Sequence, residues 1–296
     1  MYGIVMGGPW GPTNPNNSVL SDIIVKNVSI MNSNLVMAGF LSANIKDFIY
    51  ENINVFKCTS NTNFDAFHIS GSGSTERGAH GKYINCGVSE ISAGGQLRGF
   101  TIAESIQNIT YENCNVVNLA GSPTIAATNA FVPASGLSVV GFNFTMSREA
   151  AREIDHINVV YRNCTVSDVK YVNNFGSGLA CGFMAGSRFG LWSDKSKGLH
   201  NLIYENCVAT RIRSEYGMAL GISLDGHTIT SGIIVSGSVD PAFQNLMIEN
   251  CNLSDVTANT TGDSANSVGL LIAGTARDVL VSGTVFNDND NGLIIS

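Results

Sequence analysis

Three stretches of the chain gather side chains able to do acid–base chemistry beside aromatic rings. Arg188, Trp192 and Asp194 lie close together, Tyr171 and Phe175 precede them, and Glu215, Tyr216, Asp225 and His227 follow. A carboxylate or imidazole held near a glycosidic oxygen can exchange a proton with it as general acid or base. An Arg can clamp a carboxylate through two parallel bonds, and Trp and Tyr offer flat apolar faces. On this reading Asp225, His227, Glu215, Arg188 and Asp194 would cleave a sugar chain held by Trp192, Tyr171, Phe175 and Tyr216. The plainer reading makes each an ordinary loop residue, because loops commonly carry such side chains without forming a site. Neither a cofactor nor a metal is expected: the sequence has no CxxC and no paired His to converge on an ion.

The elements that would position these residues follow from a repeated phrase. It runs Asp/Asn, apolar, any, Tyr or aliphatic, any, Asn, then often Cys, any, apolar. Asn108–Val116, Asn201–Ala209 and Asn245–Leu253 are its clearest copies; weaker ones centre on Asn27, Asn52, Asn85, Asn163 and Gly283. Apolar positions fall four and two residues before the central Asn and one and three after it, so each half alternates like a strand. The halves are out of phase across the Asn. A one-residue bend is therefore required, and Asn tolerates the left-handed backbone that makes one. Between copies recurs Gly, large apolar, any, apolar or small: Gly99-Phe100, Gly141-Phe142, Gly182-Phe183, Gly221-Ile222 and Gly269-Leu270, with Ala66-Phe67 and others extending the series. This reads as a third strand whose large residue faces inward and whose Gly faces out. Each coil then has three strands, one tight Asn corner and two longer connections.

With those two phrases the chain resembles the right-handed parallel β-helix of the pectin-lyase-like superfamily, from about Asp22 to its end. The resemblance implies an all-β solenoid of about eight coils in a single domain, 22–296, behind an N-terminal extension, 1–21. Central Asn residues are spaced 25, 33, 28, 50, 43 and 44 apart, which places long loops in coils four to seven. The extra length is expected at 117–137, 167–178, 210–218 and 254–266 after the corner, and at 145–156, 186–199 and 225–243 after the Gly-Phe strand. Ser147–Ile154 reads as a short helix capped by Ser147. Many relatives cleave or epimerise acidic polysaccharides with residues on the Gly-Phe strand. Here its outward positions read as smooth and nearly free of proton-transfer groups. Asn61–Ser72 resembles the Asn-Thr-Asp motif of polygalacturonases only faintly, and that family's Asp-Asp pair and Gly-His-Gly motif are absent. Asp65 and Arg98 occupy equivalent places in adjacent coils and read as a structural ion pair.

Several columns read as scaffold. Cys86, Cys114, Cys164, Cys207 and Cys251 share an inward position with Val28 and Ile53, so they read as packing thiols, free rather than bridged. Sequons at Asn27 and Asn163 coincide with corner Asn residues, which argues against their glycosylation. Lys26, Glu51, Glu112, Arg162, Glu205 and Glu249 form an outward charged column, with Arg162 expected between Glu112 and Glu205. The next outward column, Ile24, Ile49, Thr110, Val160, Ile203, Met247 and Leu280, is nearly all apolar. Such a stripe calls for a cover, either the chain's own loops or other copies, a trimer being one arrangement.

Net charge is −7 with no basic run, which excludes the electrostatic footprint of a nucleic-acid binder. No stretch is apolar enough to insert in a membrane. The N-terminus does not read as a signal peptide, and the C-terminus stops within a strand. Extracellular, cell-surface or virion placement is expected. The expected function is a non-catalytic, oligomeric rod for structure or attachment, able to bind glycan. The alternative is a polysaccharide lyase, hydrolase or epimerase working from the loops of coils five and six.

Overall fold

A computed structural model describes residues 2–7, 19–35, 38–43, 45–71, 79–104, 107–121, 138–145, 156–172, 178–186, 199–215, 217–225, 228–230, 233–235, 243–258, 267–273 and 276–295. The Ser147–Ile154 helix lies outside them. Among the described residues every regular element is a strand.

Nine strands form one parallel sheet and are labelled here in chain order: β1 (Tyr2–Gly7), β2 (Ala38–Ala43), β3 (Phe64–Gly71), β4 (Leu97–Glu104), β5 (Ser138–Thr145), β6 (Gly178–Gly186), β7 (Gly217–Asp225), β8 (Ser267–Ala273) and β9 (Asn291–Ile295). They are the Gly-Phe strands with one neighbour at the start, and each pairs only with its counterparts in the preceding and following repeats. The Asn phrases build a second sheet, 14-stranded, in the same manner. Its strands cross the central Asn unbroken in Ile23–Met31 and Lys46–Phe56 and divide there in later repeats. Parallel strands, each paired with the equivalent strand of the next repeat, are the pairing of a β-solenoid.

Each repeat has three bends in its Asn phrase, not one. Positive φ occurs at the central Asn, five residues before it and five after it: 108, 113 and 118; 158, 163 and 168; 201, 206 and 211, and likewise in all eight repeats. Between bends the chain alternates in and out over four residues, and each bend restores the inward face. The stretches 117–121, 167–171, 210–214 and 254–258, expected as loop, are therefore strand folded around a second corner.

Two of the bend columns are Asn ladders. Along the central column the Asn52, Asn113, Asn163 and Asn206 Nδ2 groups donate to Oδ1 of Asn27, Asn85, Asn113 and Asn163 at 3.0–3.3 Å. Along the column before it, Asn158, Asn201 and Asn245 donate to Asn108, Asn158 and Asn201 at 2.6, 2.7 and 2.9 Å. The third column departs from Asn and Asp at Lys57, Glu90 and Arg211.

Inside, Phe67, Phe100, Phe142 and Phe183 stack at 4.5–5.0 Å and Tyr83, Tyr111, Tyr161 and Tyr204 at 4.7–5.2 Å. The two stacks meet edge to face, an arrangement worth about 0.5–1.5 kcal/mol per pair beyond area burial. All seven Cys are free and buried. Cys114, Cys164 and Cys207 point their thiols at the carbonyls of Tyr83, Tyr111 and Tyr161, 3.4–3.5 Å away. Burial pushes the Cys114 and Cys164 thiols far above their usual range, so they are unreactive packing groups.

The Gly column faces inward, which corrects the sequence reading. A Cβ on Gly141 would lie 2.6 Å from a Val166 methyl and 2.7 Å from the Gly182 carbonyl oxygen. Gly and the following Phe therefore both face the core, and the strand is locally out of alternation.

Candidate functional site

That double inward step decides which residues share the outer face of the nine-stranded sheet. Positions one before the Gly and two after it come together there: Asp65 with His68, Arg98 with Thr101, Val140 with Asn143, Cys181 with Met184, Leu220 with Ser223, and Val268 with Leu271. Backbone register stacks them in two columns, Asp65–Arg98–Val140–Cys181–Leu220–Val268 and His68–Thr101–Asn143–Met184–Ser223–Leu271.

From β2 to β8 this face is buried, not a smooth open surface. Over β5–β8 it forms a second apolar cluster of Val140, Leu179, Cys181, Met184, Leu220, Val268, Leu271 and Ala273, separate from the interior. Over β3 and β4 it is charged. Arg98 Nε donates to Asp65 Oδ1 at 2.6 Å, and His68 Nδ1 meets Asp65 Oδ2, also at 2.6 Å. The three side chains are only 21%, 6% and 13% exposed for Arg98, Asp65 and His68. Burial alone would raise the Asp65 carboxyl, but the Arg98 charge and the His68 bond outweigh it and hold it below its ordinary range. The Asp65–Arg98 pair was legible in sequence; His68 reads as an outward residue of the same strand, but its pairing with Asp65 does not, because residues three apart on a regular strand face opposite ways.

The residues singled out for glycan chemistry are placed as follows. Arg188, Trp192, Asp194, Phe175, Tyr216 and His227 lie outside the described residues. Tyr171 is fully buried at the end of the strand Thr165–Tyr171, its ring against Gly178, so it is a packing group there and not an open sugar platform. Glu215 follows the strand Val208–Ser214 and binds Lys170 Nζ at 2.7 Å. Asp225 closes β7, in register with Gly186 and Ala273. The strand that precedes Glu215 and the strand that Asp225 closes thus belong to different sheets. Among the described residues no group of three or more His, Cys, Asp or Glu is arranged to hold a metal ion.

The outward charged column behaves as its pattern suggested. Arg162 is in register with Glu112 and Glu205 and bonds Glu205 at 2.8 Å, while Lys26 bonds Glu51 at 2.7 Å. The apolar column beside it is also in register along the whole sheet, interrupted by Lys82 between Ile49 and Thr110. Its middle members are half-buried, and its end members Ile24 and Leu280 are 62% and 47% exposed.

Comparison with protein-family models, with curated proteins and with solved structures found no match in any of the three. The architecture is the class the coordinates define: an all-β chain built on long parallel sheets, compatible with a β-solenoid.

Proposed function

We propose that the chain is a non-catalytic rod: a right-handed parallel β-helix of the pectin-lyase-like type, about eight coils long, with long loops in coils four to seven. The observation carrying this is the apolar second core over β5–β8. Enzymes of that architecture work from this face, which for catalysis has to be wet and lined by groups that exchange protons. Dry Val, Leu and Met side chains can do neither. The half-exposed apolar column on the other sheet is the surface through which copies associate, giving an oligomer suited to attachment at a cell or virion surface.

The test is molar mass by light scattering, combined with an assay for chain cleavage on acidic polysaccharides. A mass above that of one chain and no product release are expected. A monodisperse monomer, or cleavage that disappears in Asp225→Ala, would overturn the proposal. A second reading, a polysaccharide-active enzyme, draws support from Asp65 fixing one nitrogen of His68, the arrangement that orients an imidazole for proton transfer. It requires that any cleavage be lost in His68→Gln as well.

A further inference from the structure

Ahead of the central Asn, the outer face of the 14-stranded sheet carries the apolar column beside the charged one. Unlike the outer face of the nine-stranded sheet it is open. Ile49, Thr110, Val160, Ile203 and Met247 are half-buried and Lys82 is exposed. If copies associate through this face, as proposed above, the two columns fix their arrangement. Two facing copies can be related by a two-fold axis along the winding or along the strands. The first sets equal repeats opposite each other with their strands reversed, so apolar side chains meet charged ones. A three-fold bundle also joins equal repeats, and gathers three Lys82 ammonium groups at its centre. The second axis keeps each column facing its own kind and reverses the order of repeats.

Apolar then meets apolar, and charge selects the offset. The charged column runs in register as Lys26, Glu51, Ile84, Glu112, Arg162, Glu205, Glu249 and Ser282. Reversed against itself with at least five repeats overlapping, this order sets like charges opposite at every offset but one. At that offset Lys26 faces the partner's Glu205, Glu51 the partner's Arg162, and Ile84 the partner's Glu112. The apolar column follows, Ile24 on the partner's Ile203 and Ile49 on the partner's Val160. The pairs within each copy stay intact. Lys26–Glu51 at 2.7 Å and Arg162–Glu205 at 2.8 Å both run cation to anion in chain order. Reversal therefore closes them into squares of alternating charge, one on each side of the axis. Lys82 and Glu112 make no ion pair among the described residues. At this offset Lys82 faces the partner's Thr110, with the partner's Glu112 two residues further along that strand.

We propose that the chain forms a two-fold dimer with antiparallel windings, joined through this face at that offset. Six overlapping strands about 4.8 Å apart, each five residues long at about 3.3 Å, give a face of roughly 29 by 17 Å. Close to 1,000 Å² in total is then buried, roughly the lower bound for a specific interface, so the dimer is reversible. Its charge squares lie at the rim of the apolar contact and set register and orientation more than affinity.

The experiment is sedimentation of the full chain over a wide range of concentration, with cross-linking of surface cysteines by a short bis-maleimide. The native thiols are all buried and form a silent background. A concentration-dependent dimer is expected. Ile49→Cys/Val160→Cys should give covalent dimers, because the two positions are three strands apart within one chain, about 14 Å, and opposite each other across the axis. Ile49→Cys alone should give none. Lys82→Glu should weaken the dimer at least tenfold with an unchanged melting temperature, and Lys82→Glu/Glu112→Lys should recover most of that. A trimer mass, covalent dimers from Ile49→Cys alone, a dimer that does not cross-link through Ile49→Cys/Val160→Cys, or dimerisation unaltered by Lys82→Glu would overturn this arrangement and leave association standing. A monomer at every concentration would overturn both the arrangement and the association it rests on.

Discussion

The outer face of the nine-stranded sheet presents one backbone arrangement with two chemistries. Over β3 and β4 its register positions hold Asp65, His68 and Arg98; over β6–β8 the same positions hold Cys181, Met184, Leu220, Val268 and Leu271. Both halves are buried, and each meets the cost of burial differently. An apolar residue gains from leaving water at about 25 cal/mol per Å². A carboxylate loses its hydration and must recover it from partners, which Asp65 does through Arg98 and His68. The apolar half is tolerant of small changes in shape and intolerant of charge. The charged half is intolerant of losing any one member.

The largest effect should come from moving the chemistry of one half into the other. Leu220→Asp places a carboxylate where no cation among the described residues faces it, and a loss of more than about 4 kcal/mol is expected, seen as insoluble protein or no cooperative melt. A well-folded Leu220→Asp protein would show that this half is wet. Next in size is Asp65→Leu, which strands Arg98 and should cost about 3–5 kcal/mol in urea denaturation. Adding Arg98→Leu should recover most of that loss, because the replaced pair is then apolar like its neighbours. No recovery in the double variant would mean that the charged half is required for more than its own neutralisation.

The Asp65 deficit should also depend on pH. Its folded carboxyl titrates below the ordinary Asp value of about 4, so the stabilisation it contributes is fully present above that value. It is lost as pH falls through the depressed folded value. The stability gap between wild type and Asp65→Leu should therefore be constant from pH 7 down to about 5 and narrow below about 4. A gap that widened on acidification would reverse the assigned direction.

The legible part of the fold was whatever a residue type imposes locally. Asn at the central corner, Cys after it, and Phe after Gly each carry a conformational or packing preference strong enough to recur. The bend five residues later recurs less plainly, because Lys57, Glu90 and Arg211, residues with no preference for positive φ, interrupt its Asn and Asp residues. The grouping of Asp65 with His68 depended on two successive inward residues, Ala66 and Phe67, which violates the period of two on which inward and outward were assigned. Alternation also tells which side of a sheet a residue faces and says nothing of whether another layer covers that side. That is why the outer face read as open. For the site, Glu215 and Asp225 looked near in sequence, but the winding sends their strands to different sheets.

The smallest expected effect separates the two halves most finely. Thr101 in the charged half and Ser223 in the apolar half are both buried, and neither hydroxyl has a hydrogen-bond partner among the described residues. Removing an unpaired buried hydroxyl relieves a desolvation cost of about 1–3 kcal/mol, less the packing lost with the atom. Ser223→Ala, among Met184, Leu220 and Leu271, should leave stability unchanged or raise it by about 1 kcal/mol. Thr101→Val keeps the volume and should behave alike if its surroundings are as dry. Thr101 is in register with His68 and lies three residues from Arg98 on the same strand, next to the strand that carries Asp65. A water drawn there by the charges would satisfy its hydroxyl, and Thr101→Val would then cost about 1 kcal/mol instead. Opposite signs for the two substitutions in thermal melts would show that charge, and not depth, decides which half of this buried face holds water.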